Sequence, residues 1–162
     1  VAENLDTGQV QQMVAHDTVS VKLVHHAFLE SIYVADAAIV SSGTASLQTG
    51  LALTPFIIIY RVSALSYWIA KRLARIPFIG MVNILAKRLI VQEALQNEFT
   101  PQRVAAEILR LLNDRIYRND MIQNLKVIRN QLGEPGAYDK AARSISEFLE
   151  GRERSLSIKM KK

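Results

Sequence analysis

Four small residues, Ser41-Ser42-Gly43-Thr44, have the types and the spacing of a phosphate-binding turn. They follow a short apolar strand predicted over Ala38–Val40 and precede a predicted helix. A helix N-terminus presents unpaired N–H groups and a partial positive charge. Gly43 lets the backbone approach a ligand, and Ser42 and Thr44 add hydroxyl donors. The same pattern also fits an ordinary strand-to-helix turn with a hydroxyl cap, so the motif alone leaves both interpretations open.

Basic charge is concentrated in the part of the chain that contains this turn. Between Ala37 and Gln92 there are six Lys or Arg and no Asp or Glu, whereas the other residues carry 14 basic and 15 acidic side chains. This window therefore accounts for the whole net charge of +5. Charge segregated in this way favours an anionic partner.

A basic amphipathic helix is predicted within the window, over about 63–75. Its apolar face includes Trp68, its cations lie towards the other face, and a second apolar stretch follows. Aromatic and apolar residues beside cations, without acids, are typical of a surface that lies on anionic lipid headgroups. Alternatively, the apolar face packs into the core and the cations are solvated. Nucleic acid is disfavoured, because stacking aromatics are few and no reader motif is present. The predicted membrane contacts are Trp68, Lys71, Arg72, Arg75 and Phe78.

The elements that would position the turn alternate between strand and helix. Val19–Val24 alternates as a half-buried strand does, and Phe56–Tyr60 is apolar on both faces, as expected of a parallel strand covered on both sides. Helices are predicted over Ala27–Ala35 and about 45–53. Strand–helix–strand units in series predict an α/β fold with a doubly wound parallel sheet and helices on both faces.

The second half of the chain is predicted to be helical. The spacing of apolar residues predicts three helices between residues 101 and 149, the last with Ala141, Ile145, Phe148 and Leu149 facing inward. Residues 151–162 are polar and basic, which is typical of a flexible tail. The sequence therefore predicts one domain over 1–150, including these helices, and a tail after it.

Composition excludes several classes of protein. A chain of 162 residues, 49% apolar and 22% charged, is long enough for a core and is not mostly disordered. Its most apolar window is far shorter than the ~20 residues of a membrane-spanning helix. Without cysteine there are no disulfides or thiolate metal sites. His16, His25 and His26 are predicted to be structural, and neither a metal nor a cofactor is expected. The chain begins with Val1, and we interpret it as a fragment of a longer protein.

Three segments together resemble the family of lipid-A-disaccharide synthases: ADAAIVSSGTASLQTGLALTPFIIIYRVSALSYWIAKRL, then VNILAKRLIVQEALQ, then TPQRVAAEIL. The resemblance extends over about residues 1–150 and is to the carboxyl-terminal half. It implies a GT-B glycosyltransferase, in which two Rossmann-like halves face a cleft and this half binds the UDP-sugar donor. It further implies a peripheral protein on the cytoplasmic face of the bacterial inner membrane.

The resemblance also implies the reaction. The family transfers 2,3-diacylglucosamine from UDP-2,3-diacylglucosamine to 2,3-diacylglucosamine 1-phosphate, which gives a β-1,6-linked lipid A disaccharide and UDP without a metal. The general base is expected in the half that this chain does not contain, so the fragment alone is expected to be inactive. Because both substrates carry acyl chains, residues 60–91 would face the bilayer.

The family's binding residues can be carried over by matching position. Asn83, Glu93 and Gln96 would address the donor sugar and nucleotide, although Asn83 also fits a turn and the other two also fit a solvated helix face. The other implied substrate-binding residues are Ser42, Gly43 and Thr44 at the diphosphate, Gln48 at the ribose, and Arg61 on the cleft wall.

Four positions depart from the family pattern. Gln48 replaces a usual Glu, so that a charge-assisted hydrogen bond of about 1.5–3 kcal/mol would give way to a weaker one. Val82 and Gln92 replace usual prolines, and Lys87 replaces a usual glycine. These departures leave two other functions open. One is a non-catalytic peripheral membrane-binding module, and the other is a related GT-B enzyme that acts on another lipid-linked sugar.

Overall fold

The structure, a computed structural model of the chain, describes residues 5–14, 19–63, 77–133 and 136–159, with side chains described up to residue 149. Its internal contacts divide the chain into two compact units, Val1–Arg129 and Asn130–Lys162. The predicted phosphate-binding turn lies in the first unit. The division into a domain over 1–150 and a flexible tail stays a prediction.

Helices and strands alternate between residues 28 and 95, as predicted, and helices follow. In chain order the described elements are α1 (Thr7–Val14), α2 (Phe28–Val34), β1 (Ala38–Ser41), α3 (Thr44–Leu51), β2 (Phe56–Tyr60), α4 (Met81–Ala86), β3 (Glu93–Leu95), a 3-10 turn (Gln96–Glu98), α5 (Pro101–Asn113), α6 (Arg115–Gln131) and α7 (Ala137–Lys159). At the start of α5, Thr100 accepts a hydrogen bond from the backbone N–H of Arg103, and Pro101 occupies the first helical position, where no N–H is needed.

The three described strands form one parallel sheet in the order β1-β2-β3. Ala38 lies opposite Phe56 in the first pair, and Ile58 lies opposite Glu93 in the second. Since parallel strands need a crossover between them, the helices connecting them lie over the sheet. This confirms the predicted α/β class with a Rossmann-like parallel sheet.

Side chains of β2 enter two cores, one on each face of the sheet. Phe56 and Ile58 pack with residues of α4, α5 and α6, whereas Ile57 packs with Ala94 and with Val104 of α5. All three β2 side chains are fully buried. The apolar character of both faces of this strand, evident in the sequence, follows from its central position in a covered parallel sheet.

The strands differ from the prediction in two places: one predicted strand is absent, and one observed strand was not predicted. Val19–Val24 was expected to form a strand, but the structure has none there, and Val19, Val21 and Val24 are exposed. An alternating pattern does not make a strand unless a partner offers it hydrogen bonds. Conversely, β3 was not predicted, because three residues are too few for a periodic signal and it forms by pairing with β2.

The last helix is also longer and less covered than expected. α7 continues to Lys159, through most of the range predicted as a tail. Ala141, Ile145, Phe148 and Leu149 were expected to face inward, but all four are exposed, with Phe148 64% exposed. Apolar spacing identifies a helix face correctly, but whether that face is covered depends on a neighbour that the spacing does not specify.

Tyr117 connects α6 to α5. Its hydroxyl donates a hydrogen bond to Glu107 Oε1 at 2.6 Å, and the guanidinium of Arg110 lies 3.7 Å from its ring centroid. Burial raises the pKa of Tyr117 to about 12, and the hydrogen bond and charge of Glu107 act in the same direction. Folding therefore favours the protonated phenol.

This geometry predicts a loss of stability in alkali. In the unfolded chain Tyr117 releases its proton near pH 10, but the folded chain retains it to about pH 12, so its stabilising contribution is complete below pH 10 and is lost between these values. In urea unfolding, the stability of wild type relative to Tyr117→Phe should be constant near pH 8 and should fall between pH 10 and pH 12. Tyr138→Phe, at a side chain 93% exposed, is the control. A stability difference that stays constant from pH 8 to pH 12 would contradict this assignment.

Candidate functional site

The predicted phosphate-binding turn lies on the surface at the carboxyl end of β1. Ser42 is half-buried, and Gly43 and Thr44 are exposed. Gly43 precedes α3 with φ 135° and ψ −159°, a backbone conformation essentially restricted to glycine. No side chain of the described residues caps the start of α3. The turn therefore needs glycine for its backbone and leaves its exposed N-terminal end accessible to a ligand.

Ser42 is fixed from two sides. Its N–H donates to the carbonyl of Ile59 at 3.1 Å, and this bond continues the pairing of β1 with β2. Its hydroxyl donates to the carbonyl of Ile79 at 3.2 Å. The turn is thus connected to a segment 37 residues further along the chain. That segment, Ile79-Gly80, immediately precedes α4.

A buried carboxylate holds Ile79-Gly80 in place. Glu93 of β3 is 7% exposed. Its Oε2 accepts from the N–H of Ile79 at 3.0 Å, and its Oε1 accepts from the N–H of Gly80 at 2.9 Å. A Cβ added at Gly80 would lie 2.2 Å from Ile58 Cδ1 and 3.1 Å from Glu93 Oε1. A side chain at this position would therefore displace the sheet core.

Asn83 completes this buried network. It is fully buried on α4, and its Nδ2 donates to Glu93 Oε1 at 2.7 Å and to the carbonyl of Val91 at 2.8 Å. Its Oδ1 accepts from the N–H groups of Ile90 and Val91 at 2.9 and 3.0 Å. The described contacts of Asn83 and Glu93 therefore go to the protein itself, as buried polar groups require. Their contact with a donor stays a prediction.

Gln96 makes a similar connection to the segment that follows β2. Its Oε1 accepts from the N–H of Val62 at 3.1 Å, and its Nε2 donates to the carbonyl of the same residue at 3.2 Å. The side-chain amide thereby reproduces the pairing that another strand would give. β3 and the turn after it thus hold the backbone at Val62 through Gln96 and at Ile79-Gly80 through Glu93.

Arg61 lies beside Val62, at the border of an open groove of about 640 Å³. The groove lies between β1, β2 and α5, and apart from Arg61 the described residues that line it are apolar. Its lining includes Ile39, Ile59, Phe99, Val104 and Ile108. Within the described part of the chain, the groove thus combines one cation with a large apolar surface.

The structure thus connects some of the predicted site residues and leaves others apart. Ser42, Asn83 and Glu93 meet through Ile79-Gly80, whereas Gln48 is exposed on α3. Phe78 is half-buried. The remaining predicted membrane contacts, Trp68, Lys71, Arg72 and Arg75, lie outside the described residues.

Sequence reasoning did not identify Ile79-Gly80 as a structural junction. The glycine that follows an apolar run, in Pro77-Phe78-Ile79-Gly80, was the available signal. Among the described residues, no group of three or more His, Asp or Glu is placed to hold a metal ion, and no helix has the length and hydropathy to span a membrane.

These features define a Rossmann-like α/β domain with an exposed glycine turn at the carboxyl end of a parallel strand. A family model described as lipid-A-disaccharide synthetase matches residues 2–145. The chain belongs to this family. Its membership confirms the resemblance found in the sequence.

Curated relatives agree with the family match. The chain is 43% identical over 146 residues to the lipid-A-disaccharide synthase of Anaeromyxobacter dehalogenans (strain 2CP-1), a match covering 90% of the chain and 38% of the relative. It is 37% identical over 149 residues to that of Myxococcus xanthus, a match covering 92% of the chain and 39% of the relative. It is 34% identical over 129 residues to that of Coxiella burnetii (strain CbuG_Q212), a match covering 80% of the chain and 34% of the relative. The chain thus spans less than two fifths of the length of each of these relatives.

Proposed function

We propose that the protein of which this chain forms part is a glycosyltransferase of lipid A biosynthesis. It transfers 2,3-diacylglucosamine from UDP-2,3-diacylglucosamine to 2,3-diacylglucosamine 1-phosphate, forms the β-1,6 disaccharide and releases UDP. This chain supplies the donor-binding part. The observation that supports this most is the exposed turn at Ser42–Thr44, with its glycine-specific backbone, in a chain of the lipid-A-disaccharide synthetase family.

The turn is suited to hold the diphosphate of the donor. The first backbone N–H groups of α3 and the hydroxyl of Thr44 provide donors at the positive end of the helix. Gly43 exposes the backbone, so that phosphate oxygens can approach it closely. Gln48, one turn along α3, takes the ribose, and the guanidinium of Arg61 supplies a positive charge on the wall of the cleft.

Asn83 and Glu93 serve this site in part through the backbone. By holding Ile79-Gly80, the Glu93 carboxylate fixes the carbonyl that accepts from the Ser42 hydroxyl. The turn then has a defined position before the donor arrives, which lowers the entropy lost on binding. In the proposed enzyme, Gln96 addresses the donor, whereas Asn83, whose amide groups are all paired within the protein, acts on it by holding Glu93 and the Ile79-Gly80 segment in position.

The proposed activity can be tested with a chimera. In it, the matched region of the Anaeromyxobacter dehalogenans relative is replaced by the corresponding region of this chain. With both diacylated substrates present, the chimera should release UDP and form the disaccharide. A folded chimera that forms no disaccharide would contradict the proposal.

One observation favours a second candidate. Gln48 stands where the family usually has Glu, and an amide holds two ribose hydroxyls less well than a carboxylate. A non-catalytic membrane-binding module would keep the fold and bind lipid without using UDP. The same chimera separates the two, because a module would bind liposomes but form no product. A related enzyme for another lipid-linked sugar would release UDP only with a different donor or acceptor.

A membrane role for the basic segment at residues 60–91 predicts salt-sensitive lipid binding. Each Lys or Arg near an anionic bilayer contributes about 1 kcal/mol. The triple variant Lys71→Glu, Arg72→Glu, Arg75→Glu should therefore lose at least about tenfold in affinity for anionic liposomes in flotation at low salt. Lys126→Glu, Arg129→Glu, Lys140→Glu is the control of equal charge change. Equal loss of liposome affinity in both variants would mean that the net charge of the chain, and not this segment, causes lipid binding. It would then give no support to a contact of this segment with the cytoplasmic face of the inner membrane.

A further inference from the structure

Gln96 has a backbone conformation that few residues with a side chain adopt. It follows the end of β3 at Leu95 with φ 51°, in the left-handed region. The main chain leaves the sheet here and begins the 3-10 turn, so the pairing of β2 with β3 ends at Tyr60 and Leu95. Backbone of this kind persists where the surrounding structure holds it, and it clusters at functional sites.

The side chain of Gln96 takes the place of the strand that has turned away. Its amide accepts from the N–H of Val62 at 3.1 Å and donates to the carbonyl of the same residue at 3.2 Å. These two bonds hold the chain two residues beyond the end of β2, across 34 residues of sequence. Glycine would suit the backbone at this position, but it would give up both bonds.

Arg61 lies between two fixed points of the backbone. On one side of it, Tyr60 is paired with Leu95 in the sheet, and on the other side Val62 is bonded to the Gln96 amide. The path of the main chain at Arg61 is therefore set from both directions. The starting point of its guanidinium is set with it.

The register of β1 with β2 places this fixed backbone beside the phosphate-binding turn. Ser41 lies opposite Ile59, and the N–H of Ser42 donates to the carbonyl of Ile59. The two chains leave the carboxyl edge of the sheet side by side, at the strand spacing of about 4.8 Å. Arg61, two residues after Ile59, follows that edge at the level of the turn.

We propose that Gln96 is a positioning residue for Arg61. By holding Val62, it fixes the backbone from which the guanidinium extends towards the diphosphate of the donor. Fewer arrangements of the chain are then lost on binding, and this raises affinity without a further contact. The inference rests on the proposed donor site. It is compatible with contact between Gln96 and the donor, because an amide bonded twice to Val62 retains one N–H and one lone pair.

The backbone order at Arg61 tests this role without a ligand. By ¹⁵N relaxation, the order parameter of the Arg61 amide should be about 0.85 in the isolated chain and should fall below about 0.6 in Gln96→Gly. Glycine tolerates the positive φ, so this variant keeps the turn and loses only the amide. Asn97→Gly, at an exposed residue of the same turn, should leave the value unchanged. A value that stays near 0.85 in Gln96→Gly would overturn the proposal, as would a value below 0.6 in wild type.

UDP titration shows whether the effect passes through Arg61. Gln96→Gly should lower the affinity for UDP by about tenfold in the wild-type chain, but by less than about threefold when Arg61→Ala is already present. Equal factors in both backgrounds would mean that Gln96 acts by direct contact alone, and would overturn the proposal. A wild-type chain that binds no UDP would contradict the proposed donor site instead, and the order parameters would still decide whether Gln96 holds the backbone at Arg61.

Discussion

Glu93→Ala is expected to lower the free energy of unfolding by about 3–5 kcal/mol. The carboxylate accepts from the N–H groups of Ile79 and Gly80 and from the Asn83 amide, and it is 7% exposed. Its removal leaves buried donors without acceptors, and each costs about 1–3 kcal/mol. Urea unfolding followed by circular dichroism measures the change.

Glu98→Ala is the matched control for this variant. Glu98 lies five residues further along the chain, its side chain is 57% exposed, and it forms an ion pair with Arg103 at 2.9 Å. Such surface pairs contribute about 0–1 kcal/mol. If both variants lose the same small amount, Glu93 does not hold the Ile79-Gly80 junction as described.

Asn83→Ala is expected to cost about 2–4 kcal/mol, the second large effect. Its side chain is fully buried and forms four hydrogen bonds, to the backbone of Ile90 and Val91 and to Glu93. Alanine leaves these groups unpaired and opens a cavity. Because Asn83 and Glu93 share one hydrogen bond, the double variant should cost less than the sum of the two single variants, by about 0.5–3 kcal/mol.

Asn113→Ala tests whether any lost asparagine bond has this effect. Asn113 is exposed and donates to the carbonyl of Leu109 at 2.8 Å. Its replacement should change stability by no more than about 0.5 kcal/mol.

Strict additivity of Asn83→Ala and Glu93→Ala would show that the two side chains act independently, contrary to the shared network.

The same network links stability to the proposed donor site. Glu93 and Asn83 lie beneath the turn, and Ile79 conveys their position to the Ser42 hydroxyl. Variants that loosen Ile79-Gly80 should therefore weaken UDP binding even though they leave the exposed donors of the turn intact. A positioning role of Glu93 predicts that such variants change the Ser42 amide already in the free protein. Direct contact of Glu93 with the nucleotide predicts no change at that amide in the free protein.

Local sequence signals identified most of the first unit. The apolar run at Phe56–Tyr60 and the small residues at Ser41–Thr44 predicted a buried parallel strand and a turn into a helix, and both are present. These features depend on the chain's own composition over a few residues. The need for glycine at position 43 was predicted for ligand access, and the structure adds a backbone reason.

Features that depend on distant partners were not predictable in this way. The bonds of Glu93 reach across 13 and 14 residues, and that of Ser42 across 37. The alternation of Val19–Val24 and the apolar face of α7 are present in the sequence, but the first forms no strand and the second is exposed. In each case the missing information was the identity of a partner.

The central claim, that Ser42–Thr44 holds a nucleotide diphosphate, is tested most directly by titrating the isolated chain with UDP and following its backbone amides by NMR. The amides of Ser42, Gly43 and Thr44 should shift and reach saturation. Gly43→Ala should weaken this response by about 5- to 150-fold, because alanine disfavours the observed backbone by about 1–3 kcal/mol. Amides at this turn that remain unshifted at millimolar UDP in the folded chain would contradict the claim.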